Sequence, residues 1–174
     1  MVATSRVALT DAMLPRGWFL DVLIAAAWTP VSGIQEFRPT VDDTYKDGTT
    51  FDGAGWQSDT KTAKKHGAEL TILRAPQLST PASYDVGAEY IRTQSLLMGA
   101  AAVFQARYYE VNGDTTAGTQ TLATIKYPIT EAWSGYFTST WDEKNGAADD
   151  LRIITVKLMG RGLRTALTFN PASA

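Results

Sequence analysis

Residues Phe37 to His66 read F-R-P-T-V-D-D-T-Y-K-D-G-T-T-F-D-G-A-G-W-Q-S-D-T-K-T-A-K-K-H. Asp, Gly, Thr and Lys dominate this run, aliphatics are few, and neither a period of two nor one of 3.6 is sustained. No continuous buried face can be built from it, so it reads as loop. Tyr45, Phe51 and Trp56 nevertheless sit within it, and aromatic rings are costly to leave in water. Structureless loops beyond about 12–15 residues are uncommon in compact domains and are usually functional. The stretch therefore reads as a long polar arm with aromatic anchors, held out by a platform on either side.

The platform is mostly β. Ahead of the arm, Trp18, Leu20, Val22 and Ile24 alternate with Phe19, Asp21 and Leu23, the period of a strand. A second strand or pair of short strands spans Trp28 to Arg38, broken by Pro30 and Gly33. Behind the arm, Ala68 to Ala75 places Leu70 and Ile72 on one face and Glu69 and Thr71 on the other, as in a half-buried antiparallel strand. A helix is expected from Ser83 or Asp85 to Met98, with Asp85 at its N-terminus and Gly99 as C-cap. Val86, Tyr90 and Leu97 would share one side, with Ile91 and Met98 beside them.

Further strands are expected at Ala102–Val111 and at Thr119–Ile129, joined through the Asn112-Gly113 turn. Another follows at Trp133–Trp141, and a closing hairpin at Arg152–Leu158 and Leu163–Phe169 turns around Gly160 and Gly162. The sum is a mainly β fold, an antiparallel sandwich or barrel of seven or eight strands with one packed helix. Residues 1–174 form a single domain, with 1–14 an N-terminal arm, 40–67 the long loop and 170–174 a flexible tail.

Bulk composition narrows the function. The 174 residues carry a formal net charge of −2, with 44% hydrophobic and 20% charged residues, and no cysteine. Nothing here has the clustered basic surface of a nucleic-acid binder, and thiolate metal sites and disulfides are excluded. The apolar run Gly17–Trp28 is interrupted by Asp21 and is too short to cross a membrane; it reads as a buried strand. His66 is the sole histidine and lies beside Lys64 and Lys65, which suits a solvated loop residue. No Gly-x-Ser-x-Gly elbow accompanies it. Acid pairs such as Asp21 with Glu110, or Glu131 with Asp142, have no spacing that fixes a catalytic separation. An EF-hand started at Asp43 places Asp47 fifth and Gly48 sixth. It then fails, because Tyr45 falls at the third ligand position and Ala54 at the twelfth. No cofactor, metal site or catalytic residue is expected. Trp18, Trp28, Trp133, Tyr136 and Trp141 read first as core or subunit interface.

One set of residues carries a resemblance. Trp28, Gly33-Ile34, Phe37-x-Pro39, Asp42-Asp43, Phe51-Asp52, Gly55-Trp56, Ser58 and Lys61-Thr62 resemble the major tail tube proteins of long-tailed (siphovirus-type) bacteriophages, especially those of actinobacteria. The later order of strand, helix and strands is similar too, so the likeness spans about residues 17–169. Ala63-Lys-Lys-His-Gly67 departs from it, since members commonly place an aromatic residue soon after the Lys-Thr pair.

The resemblance implies a structural virion protein, not an enzyme. Six copies would form a ring, and rings would stack into a tube around a tape-measure protein, bounded by tail-tip and terminator proteins. Viral DNA would pass through the lumen without specific binding, and no membrane would be involved. The subunit would assemble in the bacterial cytoplasm and reside in the virion tail. The arm would reach the next ring, with Tyr45, Phe51, Asp52, Trp56 and Lys61 as contacts. Glu69, Thr71, Glu110 and Thr124 are the polar strand positions expected to line the lumen, because a neutral or acidic lining lets phosphates slide. The alternative is a β-sandwich module that binds carbohydrate or calcium.

Overall fold

The computed structural model describes residues 16–47, 59–74, 84–112, 129–143 and 152–167. Within them lie seven strands and one α-helix. In chain order these are β1 (Arg16–Ile24), β2 (Ala27–Pro30), β3 (Ile34–Asp47), β4 (Asp59–Leu73), α1 (Val86–Ser95), β5 (Phe104–Asn112), β6 (Ile129–Glu143) and β7 (Ile153–Ala166). A single turn of 3₁₀ helix, Gly99–Ala102, links α1 to β5. The strands form one sheet in the order β2-β1-β5-β6-β7-β4-β3. Every pairing is antiparallel.

Covalent geometry compels this sheet to roll. β2 and β3 stand at opposite ends of the strand order, about 29 Å apart in a flat sheet at the usual interstrand spacing. Only Val31, Ser32 and Gly33 join them, and so short a link reaches about 14 Å at most. The link is itself a clasp: Val31 N–H donates to the Leu20 carbonyl of β1 at 2.9 Å, and Leu73 N–H of β4 donates to the Gly33 carbonyl at 2.8 Å. Trp18 of β1 accordingly stacks on Phe37 of β3, with ring centroids 5.5 Å apart.

The enclosed face is the core. Leu20 and Val22 of β1 meet Leu70 and Ile72 of β4, Ala106 and Tyr108 of β5, Phe137 of β6, and Ile154, Val156 and Leu158 of β7. The period-two pattern of β1 holds: Trp18, Leu20, Val22 and Ile24 belong to this cluster, whereas Phe19 lies in a second one with Tyr109, Val111 and Ala132 on the other face. The helix packs at one end of the roll. Its Ile91 is fully buried, and the Ser139 hydroxyl of β6 donates to the Ile91 carbonyl at 3.2 Å. Gly87 allows the approach, since a methyl there would lie 2.6 Å from the Pro30 carbonyl oxygen. Asp85 is the N-cap, its carboxylate accepting from Ala88 N–H at 2.9 Å, as Asp does at helix starts.

Four expectations change. The run 40–67 is not loop, because β3 and β4 pair through most of it, from Thr40↔Gly67 to Asp47↔Asp59. A ribbon wet on both faces needs cross-strand hydrogen bonds but no apolar alternation, so periodicity could not reveal it. The expected hairpin about Gly160 and Gly162 is one continuous strand, β7, with Gly162 at φ +83°. Its partner β6 shifts register between Ser134 and Tyr136, so glycine here serves an irregularity within a strand and not a turn. The helix ends with Leu96 as C-cap, and Gly99 opens the 3₁₀ turn. Val86, Leu97 and Met98 are exposed, so the buried side of α1 is Gly87, Ala88 and Ile91 instead. The expected strand at 119–129 lies outside the described residues apart from Ile129. The arm 1–14 and the tail 170–174 also lie outside them.

Candidate functional site

The long hairpin outruns the sheet. β4 pairs with β7 only from Gly67 to Leu73, so residues 59–66 are strand-paired to β3 alone. The seven residues 59–65, beyond the buried His66, project about 24 Å at the usual rise. On this ribbon Val41, Asp43 and Tyr45 share a face of β3. A register shift between Thr44 and Tyr45 leaves Thr62 without a cross-strand partner, so Thr44 faces Ala63 while Tyr45 faces Lys61. The bulge thereby carries Lys61 onto the same face as Lys64 and His66.

There Lys61 binds the Asp43 carboxylate, and its Nζ lies 6.0 Å from the centroid of the Tyr45 ring. The hydrogen bond to Asp43 is the main reason the Lys61 ammonium is held above its usual range. The Thr62 hydroxyl closes the bulge by donating to the Thr44 carbonyl at 3.2 Å. Tyr45 is 56% exposed. Two of the five expected contact residues, Tyr45 and Lys61, are thus adjacent on one face of a projecting ribbon. Phe51, Asp52 and Trp56 lie outside the described residues, as does Thr124.

The face of the sheet away from the core holds the other candidates. Glu69 and Thr71 of β4 point outward, alternating with the buried Leu70 and Ile72. Glu69 faces Lys157 of β7 and is bonded to it at 2.9 Å, an exposed pair. That hydrogen bond, with Lys157 and Arg38 as neighbouring charges, holds the Glu69 carboxyl below its usual range. Thr155 is opposite Thr71, and the exposed Thr140 of β6 continues the surface beside Lys157. Glu110 does not belong to this face. It sits opposite Trp18 and Glu131 at the far end of β5, on the core side of the strand's alternation.

His66 is the residue the sequence reading misjudged. It is 9% exposed and packs edge-on against Phe137, with ring centroids 5.3 Å apart. No local pattern marks it as buried, because its surroundings come from β6 and β7. The nominated acids part as well, for Asp21 is bound to Arg107 and Glu131 to the Trp133 indole N–H. Among the described residues no group of three His, Asp or Glu is placed to hold a metal ion. None of the described helices is long and apolar enough to cross a membrane.

No protein-family model matches the sequence, and neither does any curated protein. Solved structures do match. A chain in the tail of an empty gene transfer agent (GTA) particle, of C6 symmetry, superposes with a TM-score of 0.57 at 11% identity, covering 86% of this chain and 95% of that one. A chain in the native gene transfer agent virion gives 0.55 at 10% identity with the same coverages. A chain in the sheath/tube terminator of the extracellular contractile injection system PVC gives 0.52 at 11%, covering 92% and 100%. What is shared at such identities is the fold. The mainly β fold, a seven-stranded antiparallel sheet with one helix, is shared with these chains of particle tails and of a sheath/tube terminator.

Proposed function

We propose that this chain is a non-enzymatic structural subunit of a phage-type tail tube. One observation carries the proposal: its fold matches nearly the whole length of a chain from a C6-symmetric particle tail. Six copies form a ring, and rings stack through the β3–β4 ribbon, whose Tyr45–Lys61 face and the neighbouring Phe51, Asp52 and Trp56 supply the contacts. An exposed aromatic such as Tyr45 is an apt anchor, because a few buried rings dominate interface energies. The outward face with Glu69 and Thr71 lines the lumen. Its threonines offer hydroxyls, and Glu69 stands between Lys157 and Arg38, so cations there have an acid beside them when phosphates pass. Glu110, on the other side of the sheet, leaves that lining. The tube is built in the host cytoplasm around a tape-measure protein, is bounded by tip and terminator proteins, and passes viral DNA as part of the virion.

Electron microscopy of the purified chain, alone and with a tail-tip initiator, tests this. Stacked six-fold rings are expected, and a monomer that never polymerises with an initiator sinks it. Trp56→Ala should leave the melting temperature of the subunit unchanged while stopping ring stacking. A tube from a contractile system is the second reading, favoured by the likeness to the PVC terminator chain. A sheath gene beside this one would select it.

A further inference from the structure

The β3–β4 ribbon leaves the sheet at one residue. Gly67 is the last residue of β4 paired to β7, through Met159, and His66 is the first beyond it. The imidazole does not turn to water there. It lies against the β7 backbone, where a methyl on Gly160 would come within 2.4 Å of both Cε1 and Nε2. A methyl on Gly135 of β6 would lie 3.1 Å from Nε2, and the Phe137 ring closes the remaining side. Two glycines thus make the slot that the ring fills, and among the described residues Nε2 has no hydrogen-bond partner.

The charges around the slot are mostly positive. β6 lines the slot with Gly135 and Phe137, and Glu131, farther along the same face, accepts from the Trp133 indole N–H. β3 places Val41 opposite His66, and its nearest acid on that face, Asp43, faces Lys64 and is bound to Lys61. β4 itself contributes Lys64. β7 contributes Arg164, whose guanidinium lies 3.6 Å from the Trp133 ring centroid and donates to the Tyr108 hydroxyl of β5 at 3.2 Å. A neutral imidazole suits such a place. An imidazolium would add a cation and a buried N–H donor with no acceptor, which is costly.

We propose that His66 is a proton-operated hinge pin: seated and neutral, it locks the β3–β4 ribbon to the sheet, and its protonation withdraws the ring from the glycine slot and frees the ribbon to swing. Burial, and then Arg164, hold the group below the usual histidine value of 6.5. The sign follows. The unseated ring binds its proton more readily, so the lock is complete above pH 6.5 and weakens as pH falls below it. This goes beyond the tube proposal and holds whether or not rings form.

The test is hydrogen exchange and histidine NMR on the full-length chain from pH 7.5 to 5, with rates corrected for intrinsic exchange. His66 should titrate below 6.5. Amides of residues 41–46 and 60–65 should lose protection in step with it, roughly tenfold for each unit by which the seated value is depressed, while β5 and β6 amides keep theirs. His66→Phe, apolar and non-titrating, should flatten that response. The proposal is overturned if His66 titrates at 6.5 or above, if the ribbon amides ignore its titration, or if the Phe variant responds to pH as the parent does. Should that variant not fold, the parent's coincidence of titration and exchange decides alone.

Discussion

Asp21 and Arg107 show how much one pair can hold in a rolled sheet. They are cross-strand partners on β1 and β5, bonded at 2.9 Å, with side chains only 5% and 15% exposed. The guanidinium also lies 4.3 Å from the ring centroid of Trp28 on β2, so one side chain ties three neighbouring strands. Removing one partner of a buried pair strands the other's charge and costs about 3–5 kcal/mol. Arg107→Ala should therefore lower the melting temperature of the subunit by about 6–20 °C for a chain of this size. Asp21→Leu combined with Arg107→Met should recover most of that loss, since a packed apolar pair can replace a buried ionic one. If the double variant melts no higher than the single, the pair is not the source of the stability. In the sequence Asp21 was visible only as a polar interruption of an apolar run; nothing local pointed to Arg107, 86 residues away.

Elements were readable where their own side chains set them. β1, the start of α1 at Asp85 and the Leu70/Ile72 face of β4 each carry their pattern within a few residues. The ribbon and the continuity of β7 were not, because both depend on a partner strand and on bulges, which leave no trace in periodicity. Of the candidate contacts, Tyr45 was visible as an aromatic in a polar run. Its pairing with Lys61 depends on the bulge at Thr62, which the sequence does not announce.

The β1–β2 turn adds a case of its own. Ala25 and Ala26 have φ of 46° and 65°, the positive values that a two-residue hairpin requires and that Asn-Gly meets without strain. A non-glycine residue held there costs about 1–2 kcal/mol. Ala25→Asn with Ala26→Gly should raise the unfolding free energy by about 1 kcal/mol or more, read as a higher urea midpoint at unchanged slope. A lower midpoint would show the turn to be unstrained.

At the level of the molecule, the sheet has a core face and a hydroxyl-rich outward face that can be separated by substitution. Under the proposed lumen assignment, Thr71→Lys with Thr155→Lys should leave tubes intact in micrographs, since both positions lie on the outward face of paired strands. DNA delivery by particles carrying them should fall, and fall less at higher salt, because each added cation holds phosphate through counterion release. Unchanged delivery at low salt would place these residues away from the lumen.

The strand order has a consequence in time. β3 and β4 are consecutive and pair as an early, local hairpin, yet β4 completes its pairing only when β7, the last of the described strands, arrives. Ribosomes add about 5–20 residues each second, so the roughly 90 residues between the end of β4 and the end of β7 take on the order of ten seconds to emerge. For that interval the β4 edge that β7 will cover, with Leu70 and Ile72, is a half-finished surface on a nascent chain. Crowded synthesis of many copies is thus the moment when this subunit is most exposed to pairing with the wrong strand.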